Sequence, residues 1–142
     1  MQDYVAGFMF DATQQNVALI RMGEHKPPYL RGRLNAIGGK IENAETPVAA
    51  MVREFAEETG VPTTADIWTT RVILTKPGVY RVHFFAASDD AVRHVRSNEK
   101  EEVEVFSLQG GDPVHLVPNL QWLIPLCLDP RVDAPVLITE KI

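Results

Sequence analysis

The chain has 142 residues, of which 45 % are apolar, enough for one domain with a full core and too few for two. Its net charge of −5 argues against a nucleic-acid polymer as partner, although a single nucleotide with metal-screened phosphates is compatible with it. No apolar run is long enough to span a membrane, no signal peptide is evident, and the single cysteine, Cys127, excludes an internal disulfide. We therefore expect one domain over residues 1–142 and a cytoplasmic location.

The N-terminal part of the chain predicts strands and loops. Residues 4–10 and 17–21 are rich in aromatic and β-branched side chains and are separated by a polar turn, which predicts a β-hairpin. Residues 22–32 are rich in glycine and proline and predict a loop. Residues 33–37 predict a short strand that leads into the pair Gly38-Gly39.

The clearest local signal is a helix over residues 47–59. Thr46 suits the N-cap, Pro47 suits the first helical position, and Gly60 suits a left-handed C-cap. Between the caps, apolar positions recur at helical spacing and predict the buried stripe, which consists of Val48, Val52, Phe55 and Thr59.

The same helix carries an unusual group of charges. At helical spacing, Glu54, Glu57 and Glu58 cluster on the side away from the predicted stripe, and Arg53 lies one turn before Glu57, within reach of its carboxylate. Crowded like charges destabilise an isolated helix, so a cation is expected there, and oxygen ligands suit Mg²⁺ or Mn²⁺. The alternative for any one of these residues is a solvated helix face.

The C-terminal half predicts more strands and one further helix. Strands are predicted at residues 67–75, 80–87, 103–108 and 135–138, whereas residues 89–98 fit no element clearly. Residues 119–128 predict a helix in which Pro125 should cause a kink or an early restart. Strands on both sides of one helix, with a second helix later, predict an α/β or α+β fold with a mixed sheet between helical layers.

One stretch matches a known signature at every fixed position. Residues 39–61 fit G-x5-E-x7-R-E-U-x-E-E-x-G-U, where U is a bulky apolar residue, with fixed residues Gly39, Glu45, Arg53, Glu54, Phe55, Glu57, Glu58, Gly60 and Val61. The chain therefore resembles the Nudix hydrolase family. This resemblance implies a single Nudix domain with an α/β/α sandwich, and hydrolysis of a nucleoside diphosphate linked to another group.

The resemblance also implies a metal site on the signature helix. Glu54, Glu57 and Glu58 would hold one or more Mg²⁺ or Mn²⁺ ions, and a backbone carbonyl of Gly38 or Gly39 would complete the shell. Arg53 would support these catalytic carboxylates, and Glu45 is expected to order the junction between loop and helix.

The general base varies among relatives, and several carboxylates stay open here. Glu54 and Glu57 are two candidates. The others belong to the acidic run before residue 103, namely Glu99, Glu101 and Glu102, for which a solvated loop is the alternative.

Substrate-binding residues are implied by likeness to the MutT-type branch of the family. Asn35 and Asn119 match positions that read the edge of a purine, because an amide both donates and accepts hydrogen bonds. Tyr29 matches a stacking position, with Trp122 as a second aromatic candidate, and Lys40 or Arg21 would contact phosphates. The structural alternatives are an N-cap for Asn119, a loop cover for Tyr29, a core position for Trp122 and an exposed strand end for Arg21.

These residues lead to three functional hypotheses. The first is Mg²⁺-dependent hydrolysis of a purine nucleoside triphosphate to the monophosphate and pyrophosphate. The substrates in this hypothesis include oxidised nucleotides similar to 8-oxo-dGTP. The second keeps the enzyme and changes the substrate to ADP-ribose or a dinucleoside polyphosphate. The third is a non-catalytic module that senses a nucleotide. In each case the expected partner is a small nucleotide, neither a nucleic-acid polymer nor a membrane, and the chain is a monomer or a homodimer.

Overall fold

The computed structural model describes residues 1–98 and 100–142. Glu99, one of the candidate bases, lies outside the described residues. The regular elements, in chain order, are β1 (Gln2–Phe10), β2 (Asn16–Arg21), β3 (Leu34–Asn35), β4 (Ile37–Lys40), α1 (Pro47–Thr59), β5 (Thr69–Lys76), β6 (Tyr80–Ser88), β7 (Val103–Ser107), α2 (Leu120–Leu128) and β8 (Val136–Thr139). Short 3₁₀ helices add Ala65–Ile67, Asp90–His94 and Pro113–His115.

The strands form one mixed eight-stranded sheet in the order β3-β2-β1-β6-β5-β8, with β4 paired to β1 and β7 paired to β2. The pairs β1–β6 and β5–β8 are parallel, and the remaining pairs are antiparallel. The two halves of β1 have different antiparallel partners: its first half pairs with β4 and its last residues pair with β2. This arrangement places the glycine pair of β4 beside the centre of the sheet.

The two helices cover opposite faces of the sheet. Alternate residues of β1 point to opposite faces: Phe8 packs with the apolar side chains of α2, whereas Met9 packs with Met51 and Phe55 of α1. The predicted mixed sheet between helical layers is therefore confirmed. Among the described residues, no helix combines the length and the apolar character that a membrane crossing requires.

Helix α1 begins and ends where the sequence predicts. Thr46 Oγ1 accepts a hydrogen bond from Ala49 N at 3.2 Å, and Gly60 adopts the left-handed conformation with φ of 76°. The predicted buried stripe is wrong in part. The buried positions are Ala50, Met51, Glu54, Phe55 and Thr59, while Val48 and Val52 are half-buried. The buried face of the helix differs from the predicted one because Met51 and Phe55 fill the core below it. Relative to the prediction the helix is turned about its axis, and Glu54 therefore faces inward.

Other predictions need smaller corrections. The predicted strand over residues 33–37 is interrupted at Ala36, and the strand predicted from residue 67 begins at Thr69 because a 3₁₀ helix precedes it. Helix α2 starts at Leu120 and continues through Pro125 without a restart. Trp122, for which a core position was the alternative to base contact, is 45 % exposed, because the apolar side of α2 consists of its neighbours Leu120, Leu123, Ile124 and Cys127.

Candidate active site

Arg53, in the middle of α1, is the centre of a hydrogen-bond network that joins the helix to the loop before it. Its guanidinium donates to both carboxylate oxygens of Glu45, at 2.7 and 2.8 Å, and to Glu54 Oε1 at 2.9 Å. It also donates to Glu57 Oε2 at 3.3 Å and to the carbonyl of Lys40 at 3.1 Å. One side chain therefore connects the end of β4, the following loop and two of the signature carboxylates. Arg53 reaches Glu57, as the spacing predicts, but its strongest partner is Glu45.

Glu45 fixes the loop that enters α1. Its Oε1 accepts a hydrogen bond from the backbone N–H of Glu42 at 2.9 Å. The bond from Arg53 is the main cause that lowers the pKa of Glu45 to about 2. The carboxylate is therefore ionised at all ordinary pH values, and it orders the junction between loop and helix in the way the sequence predicts.

Glu54 lies buried between α1 and β4. A Cβ atom added to Gly39 would lie 2.4 Å from Glu54 Oε1, so only glycine leaves room for this carboxylate against the strand. Burial raises the pKa of Glu54, while the hydrogen bond from Arg53 opposes that shift. Glu54 thus combines a desolvated position with a fixed orientation, which a site on the exposed side of the helix would not provide.

Glu57 and Glu58 occupy different environments. The Glu57 side chain is 57 % exposed, whereas Glu58 is half-buried and accepts a hydrogen bond from Asn98 Nδ2 at 2.9 Å. Burial raises the pKa of Glu58; the Asn98 bond opposes this, and the nearby Glu101 carboxylate adds to it. Of the described candidates in the acidic run, Glu101 lies beside Glu58, whereas the exposed Glu102 forms an ion pair with Arg21 at 3.7 Å.

The donor set around α1 fits a hard divalent cation by its chemistry. Glu54, Glu57 and Glu58 offer only carboxylate oxygens, and the glycine pair brings backbone close to Glu54 without a Cβ in the way. Within residues 1–98 and 100–142, no three acidic, histidine or cysteine side chains already converge on one point. The Glu57 side chain is mostly exposed and is held only by the 3.3 Å bond from Arg53 in the described part of the chain, so a metal would draw these ligands together rather than enter a preformed cage.

A cleft of about 490 Å³ starts at this cluster and runs along the α2 face of the sheet. Its wall brings together several residues that were predicted separately, namely Asn35, Gly38, Gly39, Glu58, Glu101 and Asn119. Apolar side chains such as Leu74, Val82 and Phe84 form much of the remaining wall. The volume and the mixture of apolar surface with a few polar groups are typical of a small-molecule site.

The two asparagines present complementary groups to this cleft. Asn35 Oδ1 accepts a hydrogen bond from Ala36 N at 2.8 Å, which leaves its Nδ2 as a donor with only a distant contact to Met22 Sδ at 3.9 Å. Asn119 Oδ1 is buried and has no hydrogen-bond partner in the described part of the chain. A buried acceptor without a partner is costly in a native fold, and a ligand N–H in the cleft would satisfy it.

Four other predicted contacts lie elsewhere. Tyr29 is 69 % exposed and outside the cleft wall, because the loop turns its neighbour Leu30 inward instead. Lys40 has an exposed side chain, and Trp122 lies at the surface of α2. Arg21 is engaged by Glu104 and by the carbonyl of Gly32 at 2.7 Å, so its charge is used to join β2, β7 and the loop.

Three cleft residues with polar side chains, Tyr80, Glu140 and Lys26, were not predicted from the sequence. Tyr80 of β6 and Glu140, which follows β8, meet at the cleft wall, where the Tyr80 hydroxyl donates to Glu140 Oε2 at 2.6 Å. Lys26 of the loop also lines the cleft, in place of the predicted Lys40. No local pattern marks these residues, because 60 positions separate the tyrosine from its partner.

Comparison with known proteins identifies the family. The family model of the NUDIX domain matches residues 1–119 of this 142-residue chain. The chain therefore belongs to the Nudix family and is a pyrophosphohydrolase acting on nucleoside diphosphate-linked substrates. No curated protein matches it.

Solved structures of low sequence identity share the fold. One is a MutT structure from work on Aliivibrio salmonicida and Vibrio cholerae, at 22 % identity and a TM-score of 0.68, covering 87 % of this chain and 97 % of the other. A mutator MutT protein from Bacillus halodurans is similar at 19 % identity and a TM-score of 0.67, and the match covers 93 % of this chain and 86 % of the other. A NUDIX hydrolase from Nitrosomonas europaea is similar at 18 % identity and a TM-score of 0.67, and the match covers 98 % of this chain and 79 % of the other.

Proposed function

We propose that the chain hydrolyses purine nucleoside triphosphates, ordinary or oxidised, to the monophosphate and pyrophosphate with Mg²⁺ or Mn²⁺ as cofactor. The observation that carries this proposal is the buried, unpartnered Oδ1 of Asn119 in the same cleft as Asn35 and Glu58. A purine edge offers both an acceptor and an N–H donor, which match the Asn35 amide hydrogens and the Asn119 oxygen. A triphosphate substrate is what the resemblance to the MutT-type branch implies, and the solved MutT structures share the fold of this chain.

Each end of the cleft then has its own task. The asparagine end, with apolar wall residues such as Phe84, holds the base and excludes water from its edge. The other end, at Gly38, Gly39 and Glu58, receives the phosphates. Arg53 keeps Glu54 and Glu57 oriented, and so fixes where the phosphate chain lies relative to the attacking water.

Glu54, Glu57 and Glu58, with a carbonyl of Gly38, would hold the cation. A cation held by these residues would neutralise phosphate charge and polarise the phosphoanhydride. We assign removal of the water proton to Glu101, because it lines the cleft beside Glu58 and is free of ion pairs in the described part of the chain. Glu58 itself is positioned by Asn98 and serves better as a ligand.

Substitution of the carboxylates tests the reaction. Glu57→Gln should lower turnover of the preferred triphosphate at least roughly a hundredfold, because a charged group that acts on the transition state is lost. Glu42→Gln is the matched control, since this exposed carboxylate lies 3.8 Å from the same arginine, and it should keep nearly full turnover. Undiminished turnover in Glu57→Gln contradicts the assignment.

Metal binding can be measured without turnover. Isothermal titration with Mn²⁺ should give binding to the wild type that is much weaker in Glu58→Gln and unchanged in Glu42→Gln. Equal Mn²⁺ affinity in all three proteins contradicts the proposed ligand set.

A substrate panel tests the base assignment. Purine triphosphates and their oxidised forms should be hydrolysed with a higher kcat/KM than ADP-ribose or a dinucleoside polyphosphate. Asn35→Ala should lose roughly tenfold in kcat/KM, through KM, because one hydrogen bond to the base disappears. Turnover of ADP-ribose alone would mean that Asn35 and Asn119 do not read a purine edge.

A further inference from the structure

The far wall of the cleft carries a carboxylate that the proposed hydrolysis does not use. Glu140 follows β8, beyond residues 1–119 that the family model covers. Its backbone is fixed by a hydrogen bond from Glu140 N to the Thr75 carbonyl at 2.9 Å, at the end of the parallel pairing of β8 with β5. The position of this carboxylate at the cleft is therefore set by the sheet and not by a loose C-terminal tail.

Tyr80 orients this carboxylate. The Tyr80 hydroxyl donates to Glu140 Oε2 at 2.6 Å, a short bond of the charge-assisted kind. Burial, with the adjacent carboxylate, raises the pKa of Tyr80 to about 12, so the phenol stays a donor at neutral pH. One oxygen of Glu140 is thereby engaged, and the other, Oε1, has no hydrogen-bond or cation partner among the described residues.

The pair lies far from the metal end of the cleft. Gly39 is in register with Val5 of β1, and Val5 with His83 of β6, from which Tyr80 is three residues away. With strands about 4.8 Å apart and about 3.3 Å per residue, the backbones of Gly39 and Tyr80 are roughly 14 Å apart. The phosphates are assigned to the glycine end of the cleft, away from Glu140. A carboxylate without a cation partner would repel a phosphate placed beside it, and it accepts a hydrogen bond from a neutral donor.

We propose that the Tyr80–Glu140 pair is a specificity determinant, which accepts a hydrogen bond from a neutral donor on the nucleoside part of the substrate. The donor is the 2′-hydroxyl of a ribose or the exocyclic amine of guanine, since both have the same chemistry and both belong to the part of a nucleotide away from its phosphates. The pair also sets direction, because a nucleotide inserted the other way would bring phosphate against Glu140. This inference rests on the proposed nucleotide substrate.

Binding of reaction products tests the inference without any hydrolysis. Affinities of the metal-free protein for GMP, dGMP and IMP are measured by isothermal titration. The ratio of the affinities for GMP and dGMP isolates the contribution of the 2′-hydroxyl. The ratio of the affinities for GMP and IMP isolates the contribution of the exocyclic amine. In the wild type one of these ratios should be roughly tenfold or more, as expected for a hydrogen bond to a charged acceptor.

Variants then locate the acceptor. Glu140→Gln and Glu140→Ala should bring that ratio close to one, and Tyr80→Phe should lower it part of the way. Asp133→Asn is the matched control, because it removes one exposed carboxylate from the same C-terminal segment and should leave the ratio unchanged. Ratios resist nonspecific charge effects, since these act equally on all three ligands. Thermal unfolding of each variant confirms that it is folded.

Two outcomes would overturn the inference. In the first, both affinity ratios, GMP to dGMP and GMP to IMP, are near one in the wild type. In the second, the wild-type ratio persists in Glu140→Ala. Either can occur while triphosphate hydrolysis proceeds normally. Conversely, loss of the proposed hydrolysis activity would leave these binding ratios measurable, so failure of one proposal is distinguishable from failure of the other.

Discussion

Helices α1 and α2 lie on opposite faces of the sheet, and each is preceded by a residue suited to N-capping. Thr46 uses its oxygen for that purpose, with Ala49 N at 3.2 Å. Asn119 has helical backbone angles, φ −68° and ψ −18°, and its side chain caps nothing. A polar side chain that is satisfied within the fold has a structural role, whereas one that is buried and unsatisfied is available to a ligand.

The contrast extends beyond the caps. In α1 the polar side chains are bonded to one another, through Arg53 to Glu45, Glu54 and Glu57. Helix α2 is mostly apolar, and Asn119 before its start lines the cleft with an amide oxygen that has no partner in the described part of the chain. Substitutions at α1 should therefore change stability together with activity, and substitutions at the start of α2 should change binding alone.

The largest effect is expected from Arg53→Ala. This change leaves the buried Glu54 carboxylate without its cation, and the loss of one member of a buried ion pair should lower the free energy of unfolding by about 3 kcal/mol. Urea unfolding of the metal-free protein measures it. As a control, Arg53→Ala/Glu54→Leu should recover much of the stability and none of the activity. A loss below about 1 kcal/mol for the single variant would mean that the network at α1 is solvated.

Gly39→Ala should have the next largest effect. The new methyl group would lie 2.4 Å from Glu54 Oε1 and force the carboxylate away from Arg53, at a cost of about 1–3 kcal/mol. Because the clash involves one side chain, Gly39→Ala should cost much less in a Glu54→Ala background. A double-mutant cycle of unfolding free energies measures this coupling. Additive effects would show that the strand and the carboxylate are not in close contact.

Helix α1 could be predicted to the residue because its signals are local. Thr46, Pro47 and Gly60 mark both ends through backbone preferences that require no tertiary contact. The burial of Glu54 could not be predicted in the same way. Helical spacing alone places it opposite the apolar stripe, whereas its true environment depends on a glycine of β4 fifteen positions earlier in the chain.

The cleft was predicted less completely, since its residues come from most of the chain. Asn35 and Asn119 followed from resemblance to a family, and the structure brings both to one wall. Glu140 was missed because its partner Tyr80 is 60 positions away and neither residue stands out in its own segment. Tyr29 was placed in the cleft by the same resemblance, but a loop without regular structure decides which of its side chains faces inward, and that residue is Leu30.

The capping contrast can be tested with a matched pair of alanine variants. Thr46→Ala should lower the unfolding free energy by about 1 kcal/mol, because it removes a working N-cap, and should leave purine affinity unchanged. Asn119→Ala should leave stability unchanged or slightly raised, since no bond in the fold is lost and an unpartnered buried acceptor is removed, and it should weaken binding of a purine monophosphate roughly tenfold. Urea unfolding and isothermal titration of both variants give the four values. The comparison fails if Asn119→Ala is the more destabilising of the two.

The smallest effect is expected at the end of α2, where Cys127 should be inert. Burial raises the pKa of its thiol to about 12, and the nearby Arg71 lowers it only in part. The native protein should therefore resist iodoacetamide at pH 8, whereas the urea-unfolded chain should be alkylated rapidly, as mass spectrometry would show. The thiol's contribution to stability should be fully present below about pH 9 and decline as the pH rises toward 12, because the unfolded chain ionises first. Cys127→Ser should abolish labelling in both states, and fast labelling of the native wild type would place the thiol at an accessible surface.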